Sequence, residues 1–274
     1  MKIGCHCQTW GGVHGHPAGV GSIKDMVYRA RPPFARATKE IRLVGFEGIE
    51  AFDGDVIEWH QARLDVAATG LTLSGVYTGG QFIYPDAWAD ERTKFERVID
   101  AARALGARNL VVGGGAVRAN GVGPDDCAMM ADRLDELAGI ADRAGLVAHF
   151  HPHPHPDGYN QDQVENILGR TAIGLCPDLG VLAKGGVEPV DFCRRYASRI
   201  SYLHLKDSRN GQDIEVGQGT VDIEGVVSAL VDAGFDGWVV AELDASESTP
   251  FASAQAMHRH IETRLIPIAR GTRA

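Results

Sequence analysis

One pattern recurs along this chain and limits what it can fold into. An amphipathic stretch ends at glycine and a short apolar run follows. It appears at Leu43-Val44-Gly45-Phe46, Ala68-Thr69-Gly70-Leu71, Ala104-Leu105-Gly106-Ala107, Arg143-Ala144-Gly145-Leu146 and Asp232-Ala233-Gly234-Phe235. Glycine fits the left-handed position that closes a helix, so the junctions read as one strand–helix unit repeated. Apolar runs fall near 2–8, 48–52, 72–77, 109–113, 146–151, 172–177, 200–205 and 238–243. Between them, stretches such as 90–105 and 124–144 carry helical periodicity. Strands this apolar, alternating with helices, belong to a parallel sheet covered by helices. Eight regular units favour a closed (β/α)₈ TIM barrel, here a single α/β domain over 1–274. A glycine- and proline-rich insertion near 14–33 is expected as a rim or lid at the C-terminal face.

In such a barrel, functional groups sit where strands end. Strand five runs Val147-Ala148-His149-Phe150-His151-Pro152-His153-Pro154-His155, four of the chain's 11 histidines in nine residues. Side chains alternate along a strand, so these imidazoles share a face while the strand lasts. Strand six ends at Cys176-Pro177-Asp178, strand seven at His204-Leu205-Lys206-Asp207, and strand eight at Glu242-Leu243-Asp244. Neighbouring strands are about 4.8 Å apart, so His151, Asp178, His204 and Glu242 can converge on one ion. Two imidazoles and two carboxylates suit Mn²⁺ first, then Co²⁺, Fe²⁺ or Zn²⁺. Mg²⁺ comes last, because two nitrogens are poor partners for so hard an ion. Read singly, each residue has a plainer role: Asp178 a helix cap, His204 a core histidine, Lys206 one half of a salt bridge.

These residues carry a family resemblance. The chain resembles the xylose isomerase-like barrels, often described as sugar phosphate isomerases/epimerases. Members end strands five to eight with Glu, Asp, His and Glu around a divalent metal. Asp178, His204 and Glu242 match that pattern, and His151 stands where the usual glutamate would be, in a His-Pro-His where relatives show Glu-Pro-His. Within the family the chain is most similar to inosose dehydratases and the catalytic α subunits of C-glycoside deglycosidases. Two departures stand out. Relatives often have Asp-Thr-x-His on strand six, whereas this chain has Asp178-Leu179-Gly180-Val181, and its first strand lacks an Asn-Asp-Asp run.

The resemblance implies a metal-dependent enzyme of sugar-like substrates. Isomerases and epimerases of the family use two facing carboxylates, and here the strand-five carboxylate is absent. A base on one side with a proton donor on the other is what β-elimination requires. The expectation is therefore a lyase acting on a keto-sugar, keto-cyclitol or 3-oxo-glycoside. His153 or Glu242 would be the base, with Lys206 polarising the carbonyl or protonating the leaving group. An isomerase or epimerase working through an enediolate is the alternative, and a non-catalytic sugar-binding subunit a further one. Glu50, Tyr77, Gln81, Arg209 and one or more of His6, Gln8 and Trp10 are candidate substrate contacts. His14, His16, His258 and His260 are expected to be solvated.

Composition bounds the rest. A formal net charge of −9 lacks the basic footprint of a nucleic-acid-binding surface, which also argues against an endonuclease IV-like activity. No apolar run reaches the roughly 18 residues of a membrane span, and the chain begins with a strand-like run rather than a signal core. Five cysteines without a zinc-knuckle or disulfide pattern read as reduced thiols of a cytoplasmic protein. A homo-oligomer is expected, and deglycosidase-type chemistry implies a smaller β subunit as partner.

Overall fold

The computed structural model describes residues 1–11, 13–14, 27–28, 34–57, 59–155 and 158–271. The strands are β1 (Lys2–His6), β2 (Val13–His14), β3 (Val27–Tyr28), β4 (Gly48–Phe52), β5 (Thr72–Gly80), β6 (Asn109–Gly114), β7 (Val147–Phe150), β8 (Gly174–Leu175), β9 (Tyr202–Leu205), β10 (Asp207–Arg209), β11 (Gln212–Ile214) and β12 (Trp238–Ala241). Eight of them form one parallel sheet in the order β8-β7-β6-β5-β4-β1-β12-β9. Parallel bridges Leu175↔Ile200 and Asp178↔His204 bring its two ends together. The result is a nearly closed eight-stranded barrel in a ring of helices, as the repeated junctions require.

All five junction glycines have positive φ, from 69° at Gly70 to 119° at Gly45. Each lets the chain leave a helix and drop straight into the next strand. Helix starts are equally explicit. Asn160 caps α6 (Gln161–Leu168) in a reciprocal box with Gln163. Asp222 caps α9 (Ile223–Asp232) through the Gly225 N–H at 2.9 Å. In the long α5 (Pro124–Arg143), proline and two aspartates open the first turn and arginine closes the last, the arrangement a helix dipole favours.

Two strand expectations shift. The sixth barrel strand, expected over 172–177, is only Gly174–Leu175. Pro177 lacks a ladder donor, and Asp178 already serves as N-cap of α7 (Leu179–Lys184). The third, expected over 72–77, runs on to Gly80, because Gly79 and Gly80 pair with Gly113 and Gly114. Of the insertion near 14–33, Val13–His14 pairs antiparallel with Val27–Tyr28; the rest of that expectation, with His16, lies outside the described residues. His258 and His260 are not solvated: their side chains are 14% and 19% exposed, and the His258 ring packs edge-on against Phe46.

Two cores result. The larger fills the space between sheet and helices, with Ile41, Phe95, Leu134 and Met257 among its members. The smaller lies inside the barrel, where Val111, Cys176, Tyr202 and Val240 make an apolar layer beneath the strand ends. All five cysteines are free and buried. Among the described residues, no helix is long and apolar enough to cross a membrane.

The end of β6 sets a stability test. Gly114 has φ 100°, and a Cβ there would meet the Gly80 carbonyl oxygen at 2.3 Å. Gly114→Ala combines a strained backbone with a backbone clash and should destabilise by on the order of 3 kcal/mol. Thermal unfolding should register a drop of several degrees; an unchanged melting temperature contradicts the close approach of β5 and β6.

Candidate active site

His6, Glu50, Tyr77 and His204 lie on barrel strands, and His151, Asp178, Lys206 and Glu242 in the segments that follow β7, β8, β9 and β12. Closure of the barrel then decides which of them meet. Asp178 and His204 are bridge partners, and the Glu242 N–H donates to the Leu205 carbonyl at 2.9 Å. One ligand atom from each of Asp178, His204 and Glu242 lies within 4.8 Å of the others, all three side chains being buried.

Asp178 divides its oxygens. Oδ1 accepts from the Val181 N–H at 3.0 Å and so caps α7. Oδ2 has no hydrogen-bond partner, and neither do Glu242 Oε2 and His204 Nδ1. The last two are 2.7 Å apart, close enough to attract but not directed as a hydrogen bond. Three buried ligand atoms that make no hydrogen bond, though each has an ion-pair neighbour, form a hard–borderline set that fits a divalent cation. His151 donates from Nδ1 to the Cys176 carbonyl at 3.0 Å, which leaves its Nε2 for the site. Its ring lies 4.7 Å from that of His204, but it gathers with Cys176 and His204 in a second set rather than with the carboxylates.

Lys206 is the internal cation of the cluster. Its Nζ is 2.7 Å from Asp244 Oδ1, 2.9 Å from Glu242 Oε1 and 3.3 Å from Asp178 Oδ2. Burial alone would discharge it, yet Asp178, Glu242 and Asp244 outweigh burial and hold its ammonium well above the usual range. Burial likewise pushes Glu242 up, but Lys206 and then His204 overcome it and keep the carboxylate ionised. For Asp178 burial prevails, with the value raised to about 6 against the pull of Lys206. His153 is lowered to about 4 by burial and then Lys206. It is therefore neutral near pH 7, and its buried Nε2 has no partner; its ring stands 4.7 Å from that of His151.

Three expected substrate contacts need correction. Glu50 is fully buried and accepts from the His204 Nε2 at 2.8 Å, so its carboxylate is engaged by that ring rather than presented to a sugar. His6 is also buried, with Nδ1 accepting from the Gln8 N–H and Nε2 at 3.6 Å from Glu50. Trp10 turns away altogether, its indole N–H donating to Glu40 of α1 (Phe34–Val44) at 2.6 Å. Tyr77, half-buried, packs edge-on against His6, Phe52 and His151 and so walls the site. Gln81 lies on the rim just past β5. Arg209 lines a rim cleft between the β10–β11 hairpin and the loop after β12, with Asp213, Glu215 and Leu243.

Asp244 was not foreseen as a partner. It takes both Lys206 and the Gln8 side-chain amide, at 2.7 and 2.6 Å. Its place two residues after Glu242, on the same face, was the available signal. Cys176, two before Asp178, reaches the site by the same rule.

Residues 38–263 match the family model for xylose isomerase-like TIM barrels. The chain belongs to that family. An inosose dehydratase of Clostridium beijerinckii is 22% identical to this family member over 267 residues, 84% of this chain and 89% of the relative. The L-ribulose 3-epimerase structure superposes with a TM-score of 0.73 at 20% identity, covering 99% of this chain and 97% of that one. A xylose isomerase-like barrel from Mycobacterium smegmatis, in complex with magnesium, gives 0.74 at 19% identity and covers 99% and 98%. Several of these relatives and neighbours are named as dehydratases or epimerases.

Lys206→Met removes the one ammonium among three carboxylates. Uncompensated buried charge costs about 3–5 kcal/mol, so the melting temperature should fall by roughly 10 °C. A variant as stable as the parent would show that the carboxylates need no internal cation.

Proposed function

We propose that this barrel is a divalent-metal-dependent lyase for a keto-sugar, keto-cyclitol or 3-oxo-glycoside. It would take the proton beside the ketone and expel the substituent on the next carbon. The observation that carries this reading is a pair of unlike groups in one site: neutral His153, whose buried Nε2 makes no hydrogen bond, and the charged Lys206.

Asp178, His204 and Glu242 would hold the ion, with His151 as a fourth ligand and Mn²⁺ as the first choice of metal. Bound there, the cation supplies Lewis-acid polarisation of the ketone and its neighbouring hydroxyl. His153 is the better base, because both Glu242 oxygens already face cations or a ring nitrogen, Lys206 at Oε1 and His204 at Oε2. The electron pair of the broken C–H bond becomes the new C=C bond, and the leaving group departs with its own pair. Lys206 returns a proton to that group. The Tyr77 ring walls one side of the sugar, while Gln81 and Arg209 meet its outer substituents. The curated relatives named inosose dehydratase support elimination of water from a keto-cyclitol as one form of this chemistry. Deglycosidase-type turnover adds a smaller β subunit. A homo-oligomer in the cytoplasm completes the reading.

The test uses chelator-stripped protein with Mn²⁺ restored, given inosose or a 3-keto-glucoside in deuterated water. Release of water or aglycone that depends on added metal is the expected result. Glu242→Gln should abolish it, and His153→Ala should lower kcat by about 10²–10⁴-fold. Deuterium uptake with nothing released assigns the barrel to the epimerases instead, and near-parental turnover by Glu242→Gln sinks the reading.

A further inference from the structure

We infer that Glu50 is a positioning residue that selects which nitrogen of His204 faces the metal. The inference rests on the metal-binding reading above and concerns a residue outside the ligand set.

Glu50 comes from the second barrel strand, β4, and His204 from the seventh, β9, 154 positions later. They meet across the barrel interior, where neither is accessible to solvent. The His204 Nε2–H donates to Glu50 Oε2 at 2.8 Å. A carboxylate can only accept, so this contact requires the proton to sit on Nε2. The opposite nitrogen, Nδ1, then lies 2.7 Å from Glu242 Oε2, on the side of the ligand cluster, and has no directed hydrogen bond. Without Glu50 the imidazole would have no reason to keep this tautomer or this ring angle. A metal-bound histidine backed by a carboxylate is also a more strongly donating ligand.

The surroundings hold Glu50 where it must be. Its strand partner His6 places Nε2 3.6 Å from Oε1 on the other side. Below, Tyr202 packs against both the His204 and His149 rings, and its hydroxyl is fixed by Ser74 Oγ at 2.9 Å. Among the described residues, the carboxylate's ion-pair partners are His204 and His6, with the Tyr202 side chain interacting with it as well. Its position explains why a charged group is retained in so deep a place: it faces the back of a ligand, not the substrate.

The decisive experiment compares the intact protein with Glu50→Gln, Glu50→Ala and Ser74→Ala. Mn²⁺ affinity is measured by calorimetry, and the ring ¹⁵N shifts of His204 are recorded by NMR with and without metal. Glu50→Gln keeps an acceptor but loses the charge, and should weaken Mn²⁺ binding by about 10–100-fold. Glu50→Ala should weaken it further and lose the Nε2–H signature even without metal. Ser74→Ala removes the hydrogen bond that fixes the Tyr202 hydroxyl and should melt lower, with a smaller loss of affinity than Glu50→Gln. Parental affinity and an intact Nε2–H signal in Glu50→Ala overturn the inference while leaving the metal site standing. If the parent protein binds no Mn²⁺, both the inference and the metal-dependent reading fall. Should Glu50→Ala not fold, Glu50→Gln alone decides, because it preserves the volume.

Discussion

The structure depends on a run of charges kept out of water. From Glu50 through His204 and Glu242 to Lys206, and on to Asp178 and Asp244, every neighbour is within 3.3 Å. All but Asp244 are buried. Each such group would be costly alone, and none stands alone. The partners come from β4 and β9 and from the segments that follow β8, β9 and β12, so no local segment could assemble them. Barrel closure and assembly of the charges are thus one event: the bridge that brings β8 and β9 together pairs Asp178 with His204.

The rest of the barrel serves that arrangement. Val111, Cys176, Tyr202 and Val240 fill the axis below it, giving the imidazole and carboxylates a dry, solid floor in which their mutual attraction is weakly screened. Small residues make room around it. A Cβ on Gly113 would overlap the Tyr77 hydroxyl, so the glycines that end β6 open the space that the Tyr77 ring uses. Asp207, next to Lys206, accepts from the backbone of Ser208, Gly217, Gly219 and Val221 and so ties down the loop beyond β11.

Much of this was legible in the chain. Helix-closing glycines specify the repeat because left-handed φ is a local property, and all five have it. The ends of β9 and β12, with the segment after β8, carry Asp178, His204 and Glu242 because inward-facing positions follow from a period of two. Depth along the axis does not follow from that period. Glu50, His6 and Trp10 all sit near strand ends, yet the first two are buried against His204 and each other and the third faces a helix. The distinction rests on contacts between residues as distant as Glu50 and His204, which no spacing reveals. His258 and His260 were misread for a related reason: their shelter comes from elements remote in sequence, Phe46 for the first and the turn at Gly217 for the second.

Asp178 shows how tightly chemistry and framework are joined here. The oxygen that is not offered to the site is the N-terminal anchor of α7. At its other end, α7 is latched by Lys184 to Asp213 on β11, at 2.7 Å. The same hairpin bears Arg209 at the mouth. A short helix therefore links a buried carboxylate of the site to the hairpin at the entrance, so that the two cannot shift independently without breaking one of these contacts.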